Sequence, residues 1–281
     1  MNLGISQQHQ NRRLILVAPS ATNIPSGFRQ TTVDDGQYTN VLSQVQRLRG
    51  AVYLEDGAIR PSELTADGRY DLPVDRRSWH VATLDDDGNV NGCSRYCLHS
   101  EDVNFAQLGV ADSALAGCSQ WGPLLRAAVH HEMAFAKAFQ LGFSELGGWA
   151  LQREHRCTTE ALRIALATYG LAGLLGGAIG VSTATMRNCS ASILQRLGGR
   201  RLEMAGNPLP SYNDPKYNCE MEILRFDSRR PADRYVHWIR AIQEHMLNAL
   251  VICPRPKSEQ AHGSRRIVLQ SKLRRLRVSA A

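Results

Sequence analysis

Apolar residues recur along the chain in two rhythms. Over residues 38–54, Val41, Leu42, Val45, Leu48, Val52 and Tyr53 follow helical spacing, and residues 121–141 and 231–251 read as two further helices. Residues 28–33, 79–84, 90–98, 147–152, 177–186 and 220–226 are short apolar runs of strand type. The run Asp85-Asp86-Asp87-Gly88-Asn89 is a turn that makes 79–84 and 90–98 a hairpin. Thr158 or Thr159 caps a fourth helix, and Gly198-Gly199 stops a short fifth one over residues 190–197. Residues 58–77, rich in Asp, Pro and Gly, read as a long loop. The order is strand, helix, hairpin, helix, strand, helix, strand, helix, strand. It predicts an α/β fold, a mixed central sheet flanked by helices in a single domain.

Residues 164–186 are uncharged and long enough to span a bilayer. Five glycines interrupt them, including the pair Gly176-Gly177, and the second half turns polar and β-branched at Val181, Ser182, Thr183 and Thr185. A buried helix, a glycine break and a buried strand is the reading that follows.

Charge changes the picture only at the ends. The net charge is +7, yet residues 254–281 hold eight basic residues and one acid, which leaves the rest balanced. The organisation expected is a flexible segment over 1–26, a folded domain over 27–253 and a basic tail over 254–281. Such a tail suits an acidic carrier protein or an anionic membrane surface, with nucleic acid as a distant alternative. Seven scattered cysteines without a CxxC pair read as reduced thiols of a cytoplasmic protein. Cys93 reads as a buried strand thiol. His130-His131-Glu132 lacks the second histidine of a zinc motif, because position 135 is Phe, so no metal site is expected. A P-loop, a dinucleotide fingerprint and Gly-x-Ser-x-Gly are all missing from the sequence.

Four pieces carry chemistry. Arg47 and Arg49 precede Tyr53 and an acidic loop with Asp71 and Asp75. Gly92-Cys93-Ser94-Arg95 lies on the return strand of the hairpin. Glu145-Leu-Gly-Gly-Trp149-Ala-Leu151 is followed by Arg156. A loop and helix then run from Arg156 through Arg163 to Tyr169. In this order they resemble acyl-homoserine-lactone synthases and long-chain N-acyl amino acid synthases of the GNAT superfamily, across residues 38–226. The resemblance implies a GNAT-like fold and an acyltransferase that moves an acyl group from coenzyme A or acyl carrier protein, as co-substrate, to the amine of an amino acid or similar small molecule. It implies no permanently bound cofactor.

On that reading Glu145 is a base or amine-orienting carboxylate with a raised pKa, and Gly148 and Trp149 form the catalytic strand. Gly147-Gly148 would permit close approach of backbone N–H groups to a developing oxyanion. Leu151, Arg156, Thr158, Thr159 and Arg163 would hold the carrier arm, its phosphate at a helix start. Arg49, Asp75 and Arg95 would bind substrate, with Arg95 either on a carboxylate or paired to Asp71 or Asp75. The sequence also departs from the family. The synthase arginine after the glutamate falls on Gly148, the glycine-rich pyrophosphate loop is replaced by 153–159, and the tyrosine acid of many GNAT enzymes falls on Leu194. Small residues of the fourth helix (Ala165, Ala167, Gly170, Ala172, Gly173) are either core or room for an acyl chain. A short-chain acetyltransferase and a non-catalytic carrier- or lipid-binding protein stand as the alternatives.

Overall fold

A computed structural model describes residues 13–20, 22–156 and 158–256. Ten strands form one mixed sheet. In chain order they are β1 (Arg13–Val17), β2 (Gln30–Val33), β3 (Trp79–Leu84), β4 (Val90–His99), β5 (Gly142–Leu151), β6 (Ala178–Thr185), β7 (Arg200–Arg201), β10 (Tyr212–Asp214), β11 (Cys219–Asp227) and β12 (Leu250–Cys253). Across the sheet they run β10-β11-β6-β5-β4-β3-β1-β12-β2, with β7 beside β11. A small separate hairpin joins β8 (Glu203–Met204) to β9 (Asn207–Pro208).

The helices are α1 (Asp35–Glu55), α2 (Gly122–Ala138), α3 (Thr159–Leu174), α4 (Ser190–Arg196) and α5 (Val236–Leu247). Asp34 caps α1 by accepting from the Gln37 N–H, and Thr158 caps α3 by accepting from Glu160. One face of the sheet is covered by α1, which packs Val41, Leu42 and Val45 on β1, β3 and β4, and by α2, which packs Leu125, Ala128 and Val129 against β5, β6 and β11. The other face carries α3 and α5. The uncharged segment is the helix-break-strand expected: α3, then Gly176 and Gly177 at φ +97° and +87°, then β6. Among the described residues no helix is long and apolar enough to cross a membrane.

Two expectations are corrected at the ends of the chain. Residues 13–17, assigned to a flexible segment, form β1, which lies inside the sheet between β3 and β12. Leu14, Ile15, Leu16 and Val17 are all buried, because an interior strand shows a continuous apolar run rather than alternation. The helix expected over 231–251 stops at Leu247, and Leu250–Cys253 forms β12, parallel to β1 with Ile15 opposite Leu250. The tail beyond Pro256 lies outside the described residues.

Packing also settles two of the small residues of α3, Gly170 and Gly173. A Cβ on Gly170 would stand 2.7 Å from the end of Met246, and one on Gly173 would stand 2.5 Å from the Gln243 amide. These positions let α5 approach α3. They are helix–helix contact rather than room for an acyl chain.

Candidate functional site

Strands β5 and β6 start as parallel neighbours and then part. Their register runs from Gly142 opposite Ala178 to Glu145 opposite Val181 and stops there, while β5 continues to Leu151 and β6 to Thr185. Beyond Glu145, β5 is paired, among the described residues, only with β4, so one side of its backbone faces an opening in the sheet. Within this stretch β5 bulges. Cys93 pairs with Ala150 and Arg95 with Gly147, so Gly148 and Trp149 together oppose Ser94. Gly148 takes φ +62°, which glycine adopts without strain. A cavity of about 490 Å³ lies over the opening and the bulge.

The cavity wall on the side of α1 is a charged network. Arg49 and Asp75 are buried and form a bidentate pair, with Arg49 Nη1 donating at 2.7 Å. Asp75 also accepts from Gln46 at 3.1 Å, from the Leu72 N–H at 3.2 Å and from Arg95 Nη1 at 3.3 Å. Burial works against the charge on Asp75, and the Arg49 guanidinium outweighs it, holding the carboxyl well below the usual range. Arg49 and Arg95 reach the cavity wall, whereas Asp75 is enclosed. Substrate contact by Asp75 is therefore corrected: this carboxylate fixes the two arginines. Of the two partners expected for Arg95, the structure selects Asp75. Tyr53, Tyr70, Tyr217 and Lys216 complete this side, with Lys216 Nζ 6.0 Å from the Tyr70 ring and 5.8 Å from the Tyr217 ring.

Glu145 also lines the cavity, at the last residue of β5 that is paired with β6. It accepts from His99 Nε2 at 3.0 Å and from the N–H groups of Gly109 and Val110, both at 2.9 Å. Burial pushes its pKa up, but these three donors outweigh burial and the net displacement is downward. The raised pKa expected of a base is thus overturned. His99 moves the other way, to about 9: burial favours the neutral ring, and its interactions with Cys97 and the accepting Glu145 carboxylate overcome that. Arg95, Cys97 and His99 alternate along β4 and share one face, and Cys97 stands opposite Glu145 in the ladder. Sequence spacing contained this i, i+2, i+4 series, but the partner on β5 needed the register.

At the far end of β5 the candidate carrier residues come together. Leu151 ends the strand, and Thr158 caps α3, donating to the His155 carbonyl at 2.7 Å. Thr159 is the first residue of the helix. Arg156 is committed elsewhere, to Glu55 at 2.8 Å and Asp56 at 3.5 Å, tying the loop to the end of α1. Glu160 is buried in the first turn, 3.5 Å from Arg163. Its carboxylate already faces the positive end of the helix dipole. Leu194, in the position of the missing tyrosine acid, lies on the cavity wall. Glu132, in the histidine-rich run of α2, pairs with Arg225 at 3.0 Å. The six described cysteines are free.

No family profile matches the chain. No curated protein matches it significantly in sequence. Solved structures do share its fold. BjaI, a CoA-dependent acyl-homoserine lactone synthase, superposes with a TM-score of 0.51 in the structure with SAM and isopentyl-CoA and 0.52 in that with MTA. In both cases identity is 12%, and 87% of this chain and 94% of that chain are covered. FeeM, an N-acyl amino acid synthase from uncultured soil microbes, gives a TM-score of 0.46 at 12% identity over 78% of this chain and 92% of its own. The GNAT-like mixed sheet expected from the sequence is the fold observed.

Proposed function

We propose that this protein is an N-acyltransferase that moves an acyl group from a coenzyme A or carrier-protein thioester to the amine of a small carboxylated acceptor such as an amino acid. One observation carries the reading: β5 bulges at Gly148 where it separates from β6, above a cavity of about 490 Å³. A parted pair of strands is a slot for an extended carrier arm, and a bulged backbone supplies N–H donors where a tetrahedral oxyanion would form. Each such donor contributes roughly 2.7–4 kcal/mol to transition-state stabilisation. Holding amine and thioester together supplies roughly 7–11 kcal/mol more. The Trp149 indole N–H is buried on this wall without a protein partner among the described residues. An orphan donor of this kind favours a bound carbonyl.

The acceptor would occupy the side walled by Tyr53, Arg95 and Lys216, its carboxylate on the two cations. The carrier phosphate would lie near Thr158, Thr159 and Arg163, with Leu151 against the arm. BjaI shares the fold and is, by its description, CoA-dependent, which supports a thioester donor. The test is thiol release from acyl-CoA substrates of increasing chain length in the presence of pooled amino acids. Amine-dependent release is expected. No release with any donor, together with no thermal shift by coenzyme A, overturns the reading. Preference for acetyl-CoA would move it to a short-chain acetyltransferase.

A further inference from the structure

Among the described residues the buried carboxylates are Asp75, Glu132, Glu160, Glu222, Asp227 and Asp214. The first five each have an arginine beside them: Arg49, Arg225, Arg163, Arg201 and Arg229 in that order. Asp214, 6% exposed, has no cation paired with it among the described residues. It accepts from two backbone N–H groups, that of Lys216 on Oδ1 at 2.9 Å and that of Ala114 on Oδ2 at 3.4 Å. The first closes a turn of the chain. The second is long for a hydrogen bond and leaves Oδ2 open. A carboxylate taken out of water without a counter-charge is costly. Tyr212 lies two residues earlier on β10 and shares a face with Asp214. Its hydroxyl is buried and makes no hydrogen bond among the described residues. Both side chains line the cavity, together with Ser113, whose hydroxyl donates to the Val110 carbonyl at 2.7 Å, and with the exposed Asp112. The cations on the same cavity are turned elsewhere. Arg187 is spent on the carbonyls of Asp56, Tyr217 and Asn218, and the Lys216 ammonium lies over the rings of Tyr70 and Tyr217.

We propose that Asp214 and Tyr212 form a cation subsite that selects an acceptor with a positively charged side chain, a basic amino acid such as lysine or ornithine. The inference rests on the acyltransferase reading above. Tyr212, Met221 and Thr185 stand opposite one another across β10, β11 and β6. The subsite is therefore two strand spacings, about 10 Å, from the strand that borders the slot. That separation places it at the far end of an acceptor, away from the nitrogen that reacts. The cavity then has opposite signs on its two sides, Arg95 and Lys216 for the carboxylate and Asp214 for the distal ammonium. The ammonium would donate to Asp214 Oδ2 and to the Tyr212 hydroxyl oxygen, supplying the counter-charge that the fold leaves out. The side-chain cation takes no part in transfer. The α-nitrogen forms the new bond to the acyl carbon, the carbon–sulfur bond to the carrier breaks, and a proton from that nitrogen goes to the departing thiolate.

The experiment uses the full chain with acetyl- to hexadecanoyl-CoA as donors and compares lysine and ornithine with norleucine, which has the length of lysine without its charge. The parent should prefer the basic acceptors by roughly 10- to 150-fold in kcat/KM, the worth of one charge-assisted hydrogen bond. Mass spectrometry of the product should place the acyl group on the α-nitrogen. Asp214→Asn keeps an oxygen for the Lys216 N–H, so the turn stays closed, and it removes only the charge. It should bring the preference to within about threefold through KM for the basic acceptors. Tyr212→Phe should lower the preference severalfold. A structural role would lower turnover of lysine and norleucine alike and leave their ratio where it was. Three results overturn the subsite and leave the acyltransferase reading standing: thiol release without preference for a basic acceptor, a preference that Asp214→Asn does not change, or acylation of the side-chain nitrogen. Thermal shift of the parent by lysine but not norleucine, lost in Asp214→Asn, is the second readout. That shift without thiol release from any donor would uphold the subsite and overturn the acyltransferase reading. Neither the shift nor any release would overturn both.

Discussion

Gly148 and Arg95 leave no space for a side chain between them: a Cβ on Gly148 would stand 3.0 Å from the Arg95 Cβ and 3.3 Å from Arg49 Nη1. The bulge is therefore shaped by two constraints at once, a positive φ and a guanidinium wall. Gly148→Ala should be destabilised by about 1–2 kcal/mol from left-handed strain. Its thiol release should fall further than stability explains, because the backbone donors move with the bulge. Urea denaturation alongside initial-rate assays separates the two effects. A variant with parent activity would show that the bulge takes no part in transfer.

The Arg49–Asp75 pair lies behind that wall and makes a contrasting pair of substitutions informative. Asp75→Asn removes the counter-charge of a buried guanidinium, a change that typically costs about 3–5 kcal/mol. Asp71→Asn, on the same loop, alters a carboxylate whose side chain is 32% exposed and shared between Gln46 and Arg69. Its cost should be below about 1 kcal/mol. Thermal denaturation of the two variants checks the difference, and equal losses would remove the anchoring role given to Asp75.

The five helices and six of the ten strands of the main sheet were legible because period and punctuation agree. Asp34 and Thr158 cap helices, Gly176-Gly177 separates α3 from β6, and the Asp-Gly turn closes the β3–β4 hairpin. The strands misjudged at the two ends, β1 and β12, pair with each other, Ile15 opposite Leu250. Short apolar runs carry no period that separates a buried strand from a helix end or a loose terminus. The site divides in the same way. Gly148 and Trp149 could be singled out from the run around them. That Asp75 would be enclosed, Arg156 neutralised and His99 joined to Glu145 depends on side chains 26 to 101 residues apart in the chain. Local spacing says nothing about such contacts.

The His99–Glu145 bond predicts a pH dependence of stability. The folded-state pKa of His99 is raised from the ordinary 6.5 to about 9. Its contribution is therefore whole below 6.5 and is lost as pH rises through about 9. Glu145 is lowered from 4.5, so its contribution is whole above 4.5 and is lost as pH falls through its depressed value. The pair should be strongest between these limits. The penalty of His99→Gln should be larger near pH 6 than above about pH 10, by on the order of 3 kcal/mol. Denaturant midpoints measured across that range test the sign, and a penalty that grows with pH would contradict the assignment.

Arg95 offers the sharpest check on the acceptor. Asp75 holds one of its terminal nitrogens, and Arg95 still lines the cavity that Lys216 also lines. A charge-assisted hydrogen bond to a substrate carboxylate is worth about 1.5–3 kcal/mol. Arg95→Ala should then raise KM for a carboxylated amine by roughly 10- to 150-fold. The same substitution should leave KM for the corresponding decarboxylated amine nearly unchanged, since that molecule never made the contact. Arg95→Lys keeps the charge without the planar fork and should recover only part of the loss. Steady-state kinetics with the two acceptors tests this directly. A KM increase shared equally by both amines would assign Arg95 to holding the wall together, and the carboxylate pocket would have to be sought around Lys216 instead.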